Sequence, residues 1–218
     1  MTKRKRSLVL KRCIDVACSA AAIVGLSPLL GGISAAIALT QGRPVLFRQK
    51  RPGLGGKPFT IYKFRTMRPP RPGEISYLTD ASRVTRLGRF LRDTSLDELP
   101  ELWNVLSGDM SLVGPRPLLV EYLDKYSPDE ARRHDVLPGI TGWAAVNGRH
   151  ALKFRERLKL DTWYVDHWSL GLDLKILATT VHQVLRRSDV ATTQGVEEFG
   201  FPLPVPDKKD PPADPKRG

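Results

Sequence analysis

The chain has little cysteine and, over one long stretch, no charge at all. Cys13 and Cys18 are the only cysteines among 218 residues, so neither a disulfide-stapled secreted fold nor a Cys-rich zinc site is available. The four histidines, His134, His150, His167 and His182, are scattered and form no HExxH pattern. Internal repeats and heptads are also missing, which excludes solenoids and coiled coils. What remains is long enough for one domain of moderate size with a real core.

Charge is unevenly placed. Thirty-five Lys and Arg against 23 Asp and Glu leave a net +12. Residues 1–15 carry +5, residues 16–42 carry none, residues 43–92 carry +11, and the remainder is net negative at −4. A basic front half around an uncharged run points to anionic lipid, phosphate or nucleic acid as a partner.

The run VACSAAAIVGLSPLLGGISAAIALTQG would be roughly 40 Å long as one straight helix, more than the ~30 Å of a bilayer core. On length alone it reads as a transmembrane helix, and its apolar stretch is too long for a cleaved signal peptide. Pro28 near its middle removes a helix hydrogen bond, and Ser27 supplies a hydroxyl that can satisfy the freed carbonyl. Lys3, Arg4, Lys5, Arg6, Lys11 and Arg12 precede the run, and Arg43, Arg48, Lys50 and Arg51 follow it. Both flanks therefore prefer the cytoplasm, which one straight span cannot provide. A re-entrant helix–break–helix with its break at Ser27-Pro28 satisfies both.

Beyond the run, residues 44–64 predict a β-hairpin around RPGLGGKP, where a plain turn is favoured over a phosphate loop. Residues 68–79 read as a loop. RVTRLGRFLR, 83–92, places Val84, Leu87 and Leu91 on one face of a helix suited to a charged surface. A further helix is expected from about Asp97 through Leu106, with Pro100 in its first turn. Residues 118–134 look helical with an interruption near Ser127-Pro128, and 136–149 form a Gly-rich loop. Residues 151–187 read as mostly helical, with Trp163, Tyr164 and Trp168 suiting either a membrane interface or a core. The expected class is α+β, mainly helical: a basic N-terminus and membrane helix over 1–42, a catalytic domain over 43–201, and a disordered Pro-rich tail over 202–218.

The densest polar segment is RDTSLDELPELWNVLSGDMSLVGPRP, 92–117. Ser95 and Glu98 have capping-box spacing, which gives Asp97 and Glu98 a structural role at a helix start. The same position gives a chemical one. A helix N-terminus favours an ionised Asp97, which can attack phosphorus, and Glu98 can hold Mg²⁺, a cation that ligates carboxylate and phosphate oxygens together. Lys63, Arg65, Arg92, Arg116 and Arg149 supply cations of the kind that grip phosphate oxygens, and the prolines flanking Arg116 fix its backbone.

These residues carry a resemblance. KRxxD at 11–15, Ser27-Pro28, TQGRPVLFRQKRPGL, KFRTM, SLDELPELWNVLSGDMSLVGPRPLLVEYL, PGITGWAAVNGR and WYVDHWSLGLDLKIL occur in order from about residue 11 to 190. The chain resembles the bacterial small monotopic phosphoglycosyl transferases, the initiating sugar transferases that load a sugar phosphate onto polyprenyl phosphate. In appearance it is most similar to the bacillosamine-type branch of protein glycosylation. The resemblance implies a re-entrant anchor in the cytoplasmic leaflet of the inner membrane, amphipathic helices in the interface plane, and an Asp-Glu dyad at Asp97-Glu98. It further implies attack of Asp97 on a UDP-sugar (an N-acetylated amino sugar), UMP release, and transfer of the phosphosugar to polyprenyl phosphate, with Mg²⁺ on Glu98. Lys63, Arg65, Arg92, Arg116 and Arg149 occupy the family's basic motif positions. Ala145 and His150 depart from the family's amide residues, which bears on the choice of sugar.

Two rivals are carried forward. A membrane-anchored nucleic-acid-binding protein would explain the basic charge, but no helix-turn-helix, RNP or zinc-finger pattern accompanies it, so nucleic acid is not an expected partner. An inactive scaffold of glycan assembly would lack turnover; phospholipids remain expected partners on either membrane reading.

Overall fold

The computed structural model of the chain describes residues 3–71, 82–148 and 154–186. The Pro-rich tail, Arg149, His150 and most of the 68–79 loop lie outside the described residues.

The uncharged run folds as two helices, α1 (Lys3–Gly25) and α2 (Ser27–Gln41). From Ser7 onward they form a pair bent by 62°, and no single described helix is long and apolar enough to cross a membrane. The bend follows from Pro28, which sits in the first turn of α2 and has no N–H to offer. The carbonyl that this N–H would have reached belongs to Val24, and the Ser27 hydroxyl donates to it at 2.8 Å. Leu26 N–H to Ala22 and Leu30 N–H to Leu26 keep the flanking turns helical.

The second arm is fastened to the rest of the chain by apolar packing. Ile33 and the fully buried Ile37 pack with Phe64 and Leu91. Full burial of one such aliphatic side chain stabilises by roughly 1.5–3 kcal/mol.

The expected hairpin is present. Strand β1 (Leu46–Pro52) runs antiparallel to β2 (Pro58–Phe64), in register from Leu46–Phe64 to Pro52–Pro58. Gly55 and Gly56 turn the chain at φ 62° and 75°, in the left-handed region that favours glycine.

Helix α3 (Arg86–Asp93) starts later than its apolar spacing predicts. Thr85 caps it by accepting from Gly88 N–H, and Val84 is instead extended, bridging Met67. Leu91 alone of the expected face is fully buried. A Cβ at Gly88 would lie 1.9 Å from the Thr66 carbonyl oxygen, so glycine is what lets α3 approach the end of β2.

The predicted helix from Asp97 is divided. Residues Leu96–Glu98 form a 3-10 turn, and α4 spans Glu101–Ser107 with Pro100 as its N-cap. The capping box does not form, because Ser95 adopts the left-handed conformation (φ 55°, ψ 17°) and its side chain caps nothing. Buried Asn104 of α4 fixes the helix to the hairpin, accepting from Tyr62 N–H at 3.1 Å and donating to the Thr60 carbonyl at 2.7 Å.

A short parallel pair follows, β3 (Ser111–Val113) with β4 (Gly139–Thr141), the latter within what reads in sequence as a Gly-rich loop. Gly114 and Gly139 approach so closely that a Cβ on Gly139 would lie 2.0 Å from Gly114 N. Between the strands lie a 3-10 segment (Val120–Lys125), α5 (Pro128–Ala131) with a complete capping box from Ser127 and Glu130, and a 3-10 turn (Arg132–His134). Helices α6 (Trp143–Val146), α7 (Phe154–His167) and α8 (Leu170–Leu185) complete the described chain.

The first helix also holds to the folded body through its charged side chains. Lys11 Nζ donates to Asp173 Oδ2 at 2.6 Å and to the Val113 carbonyl at 3.0 Å. Arg12 donates to the Leu106 carbonyl at 3.0 Å, and Asp15 accepts from Leu112 N–H at 3.1 Å. These flanking cations, which the charge pattern assigns to the membrane surface, turn into the folded body instead.

Candidate active site

The hairpin, the 96–98 turn, α4 and the loop after β3 converge on one charged cluster. Lys63 projects from β2, and its Nζ lies 2.8 Å from Glu98 Oε1 and 3.1 Å from Glu101 Oε1. Arg116 meets the same Glu98 with one guanidinium nitrogen on each carboxylate oxygen, sharing Oε1 with Lys63. The Arg116 backbone is itself held, since its carbonyl accepts from Arg133 at 2.7 Å. Arg133 is buried and paired with Asp161 at 2.7 Å, so the loop bearing Arg116 is anchored to α7.

The two adjacent carboxylates end up in different electrostatic states. Burial pushes the Glu98 carboxyl up, but Arg116 and Lys63 outweigh it and hold the group well below the usual carboxylate range. Asp97 receives no hydrogen bond from the described residues, and burial together with ionised Glu98 pushes it up to about 6. At neutral pH it is still largely ionised, a half-buried carboxylate with no donor among the described residues. A helix N-terminus does not hold it down, contrary to the sequence expectation, because α4 begins only at Glu101. Glu101 is 2% exposed, and burial pushes its carboxyl up to about 7 against the opposing pull of Lys63.

Of the other expected cations, Arg92 donates to the Thr66 hydroxyl at 2.9 Å and acts on Asp97 through its charge. Arg65 donates to the Gln41 and Gly42 carbonyls, so it clamps the end of α2 to β2 and is not part of the cluster. Arg149 lies outside the described residues. Two members of the site have no signal of their own in the sequence, Glu101 and Arg51. Both line a polar pocket of about 90 Å³ with Ile61, Lys63, Arg116 and Pro117. The spacing of β1 is the one clue to Arg51, which the hairpin register sets beside β2 opposite Phe59.

Hard oxygen donors for a divalent cation are present. The Asp97 carboxylate carries no bond, and Glu98 Oε2 is held only by the longer 3.3 Å contact from Arg116. Among the described residues no group of three His, Cys, Asp or Glu side chains could hold a metal alone. That donor set fits Mg²⁺, which takes one or two carboxylates and completes its shell with water and substrate phosphates.

The Bacterial sugar transferase family matches residues 6–187. The uncharacterized sugar transferase EpsL of Bacillus subtilis is 50% identical over 194 residues, covering 89% of this chain and 96% of that protein. The UDP-glucose:undecaprenyl-phosphate glucose-1-phosphate transferase of Klebsiella pneumoniae is 42% identical over 185 residues, 80% of this chain and 40% of its own length. The undecaprenyl-phosphate galactose phosphotransferase of Salmonella typhimurium is 38% identical over 201 residues, 84% of this chain and 42% of its own. The chain thus spans nearly all of the first relative and about two fifths of the other two.

Proposed function

The chain belongs to the bacterial sugar transferase family, and from that premise we propose that it transfers a sugar 1-phosphate from a UDP-sugar to polyprenyl phosphate at the membrane. The observation that carries this reading is the division of labour within the dyad. Glu98 is paired with Lys63 and Arg116, while Asp97 beside it is half-buried, ionisable near pH 6 and without a donor among the described residues. Adjacent carboxylates in unlike environments take unlike roles.

An Asp97 carboxylate oxygen attacks the β-phosphorus, the bond from that phosphorus to the oxygen bridging the α-phosphate breaks, and UMP leaves with the bond's electron pair. An oxygen of polyprenyl phosphate then attacks the aspartyl phosphosugar, which frees Asp97 and yields polyprenyl-diphosphate-sugar. Lys63 and Arg116 hold phosphate oxygens as charge moves between them, a part that fixed cations perform without reorganising. Asp97 and Glu98 Oε2 would hold Mg²⁺, which when bound would supply further neutralisation of the diphosphate.

The bent pair α1–α2 supports a re-entrant anchor, with the dyad on the cytoplasmic face of the inner membrane and phospholipid around the exposed Val24, Leu29 and Leu39. Incubation of the purified chain with UDP-sugars in the absence of lipid acceptor tests the reading. A substoichiometric burst of UMP supports the covalent route; release only when acceptor is present sinks it. The panel should contain UDP-glucose and UDP-galactose, after the sugars named for the relatives, and N-acetylated amino sugars, after the resemblance in sequence. Chelation of divalent cations is expected to lower the burst rate by at least about tenfold. An unchanged rate removes Mg²⁺ from the scheme.

A further inference from the structure

The pocket beside the dyad contains a cation that the scheme above leaves unused. Arg51 stands near the end of β1, half-buried, with one terminal nitrogen donating to Gln49 Oε1 at 2.7 Å. Its Nε is buried without a hydrogen-bond partner, and among the described residues it forms no ion pair. The other cations of the pocket are differently placed: Lys63 is shared between Glu98 and Glu101, and Arg116 is committed to Glu98. Burial and the neighbouring Arg116 both act against Arg51's charge, with only partial relief from Glu121 and Glu101. Leaving a guanidinium desolvated beside a second one is unfavourable unless an anion joins them. A pocket of about 90 Å³ has room for several water-sized groups, hence for one tetrahedral phosphoryl group.

We propose that Arg51 is a phosphate-binding residue of this site, its guanidinium and that of Arg116 gripping the non-bridging oxygens of one phosphoryl group in the pocket they both line. The inference deepens the proposed function and rests on it for the identity of the natural ligand. That ligand is either the nucleotide diphosphate or the monophosphate of the lipid acceptor, which share this chemistry.

Titration of the full-length, detergent-solubilised chain with inorganic pyrophosphate tests the pocket without turnover. Arg51→Gln is expected to weaken binding by about tenfold or more, since a charged hydrogen-bonded contact is lost. Arg51→Lys should weaken it by about threefold, keeping charge but losing the planar fork. Arg48→Gln, on the same strand with its guanidinium 5.7 Å from the Tyr62 ring centre, should stay within about twofold and so controls for general electrostatics. Affinity of folded Arg51→Gln within twofold of the parent overturns the proposal, as does an equal loss in Arg48→Gln. Should Arg51→Gln fail to fold, Arg51→Lys decides, and parental affinity there overturns the bidentate grip. Kinetics then identify the source: a raised KM for UDP-sugar alone assigns the nucleotide, and a raised KM for polyprenyl phosphate alone assigns the acceptor. A chain that releases no UMP from any sugar ends the functional reading but leaves the pyrophosphate result to stand or fall separately.

Discussion

Two largely buried charge networks invite comparison, one under α1 and one at the dyad. Under α1, Asp173 commits both oxygens: Oδ1 accepts from the Tyr164 hydroxyl at 2.7 Å, and Oδ2 from Lys11 at 2.6 Å and the Trp168 indole at 3.1 Å. At the dyad Glu98 is equally committed, yet Asp97 next to it takes no hydrogen bond, and Glu101 Oε1 lies 3.1 Å from Lys63 without an aligned one. Both networks bring cations and carboxylates together from distant parts of the chain. The closed one fixes α1 to α8, whereas the open one keeps a half-buried carboxylate that costs stability and that the proposed mechanism puts to use on phosphorus. Incomplete satisfaction in a largely buried cluster is thus the mark of chemistry here.

The comparison is broken most directly at Asp97. Asp97→Asn is expected to lower the UMP burst by at least about a thousandfold, roughly 4 kcal/mol of barrier. The same variant should keep or gain stability at pH 7, on the order of 1 kcal/mol. The sign follows from linkage: with its folded-state pKa raised, ionised Asp97 opposes folding once pH exceeds the unfolded value, and asparagine removes that opposition. Urea denaturation with the burst assay checks both halves, and a marked loss of stability would place Asp97 with the structural carboxylates. Asp173→Asn should do the reverse, destabilising by about 3 kcal/mol because Lys11 is left buried without its counter-charge. A shift in urea midpoint too small for that figure would show the α1 junction to be dispensable.

Acidity sharpens the contrast with a smaller effect. If Asp97 is the nucleophile proposed above, its pKa near 6 means that it loses its ionised form as pH falls through 6, so the burst rate at pH 5 should be about a tenth of its plateau, roughly 1.4 kcal/mol. An ordinary aspartate would remain ionised at pH 5. Pre-steady-state UMP release between pH 4.5 and 8 distinguishes them, and a flat profile down to pH 5 contradicts the desolvation of Asp97.

How much of this was open to a reader of the sequence depended on the distance between partners. The hairpin, the break at Pro28 and the interruption at Ser127-Pro128 are local, and turn residues and periodicity announce them. Lys63, Glu98 and Arg116 were identified as types, not as a cluster; their contact depends on β2 and the β3 loop, which sequence spacing does not bring together. Arg51 and Lys11 were misjudged for the same reason. Both read as membrane-flank charge, yet Lys11 finds Asp173 at a separation of 162 residues. The Ser95-Glu98 capping box has the right spacing but does not form, because Ser95 takes the left-handed conformation, which spacing does not reveal. The parallel pair β3–β4 is too short for any period, and only the glycine approach at Gly114 and Gly139 makes it possible.

The smallest expected effect concerns the bend, where satisfaction is again complete. Pro28 takes away a donor, and the Ser27 hydroxyl replaces it on the Val24 carbonyl at 2.8 Å. Ser27→Ala should cost about 0.5–1.5 kcal/mol if that carbonyl lies in apolar surroundings, as a re-entrant anchor requires. The cost should shrink toward zero if water reaches it, because water then supplies the missing donor. Reconstituting the variant and its parent in bilayers and comparing their denaturant midpoints separates the cases. A loss of that size supports burial of the break in the hydrocarbon, and a loss near zero would mean that the 62° bend lies in water. A satisfied carbonyl thus becomes a probe of whether the apolar pair enters the leaflet at all.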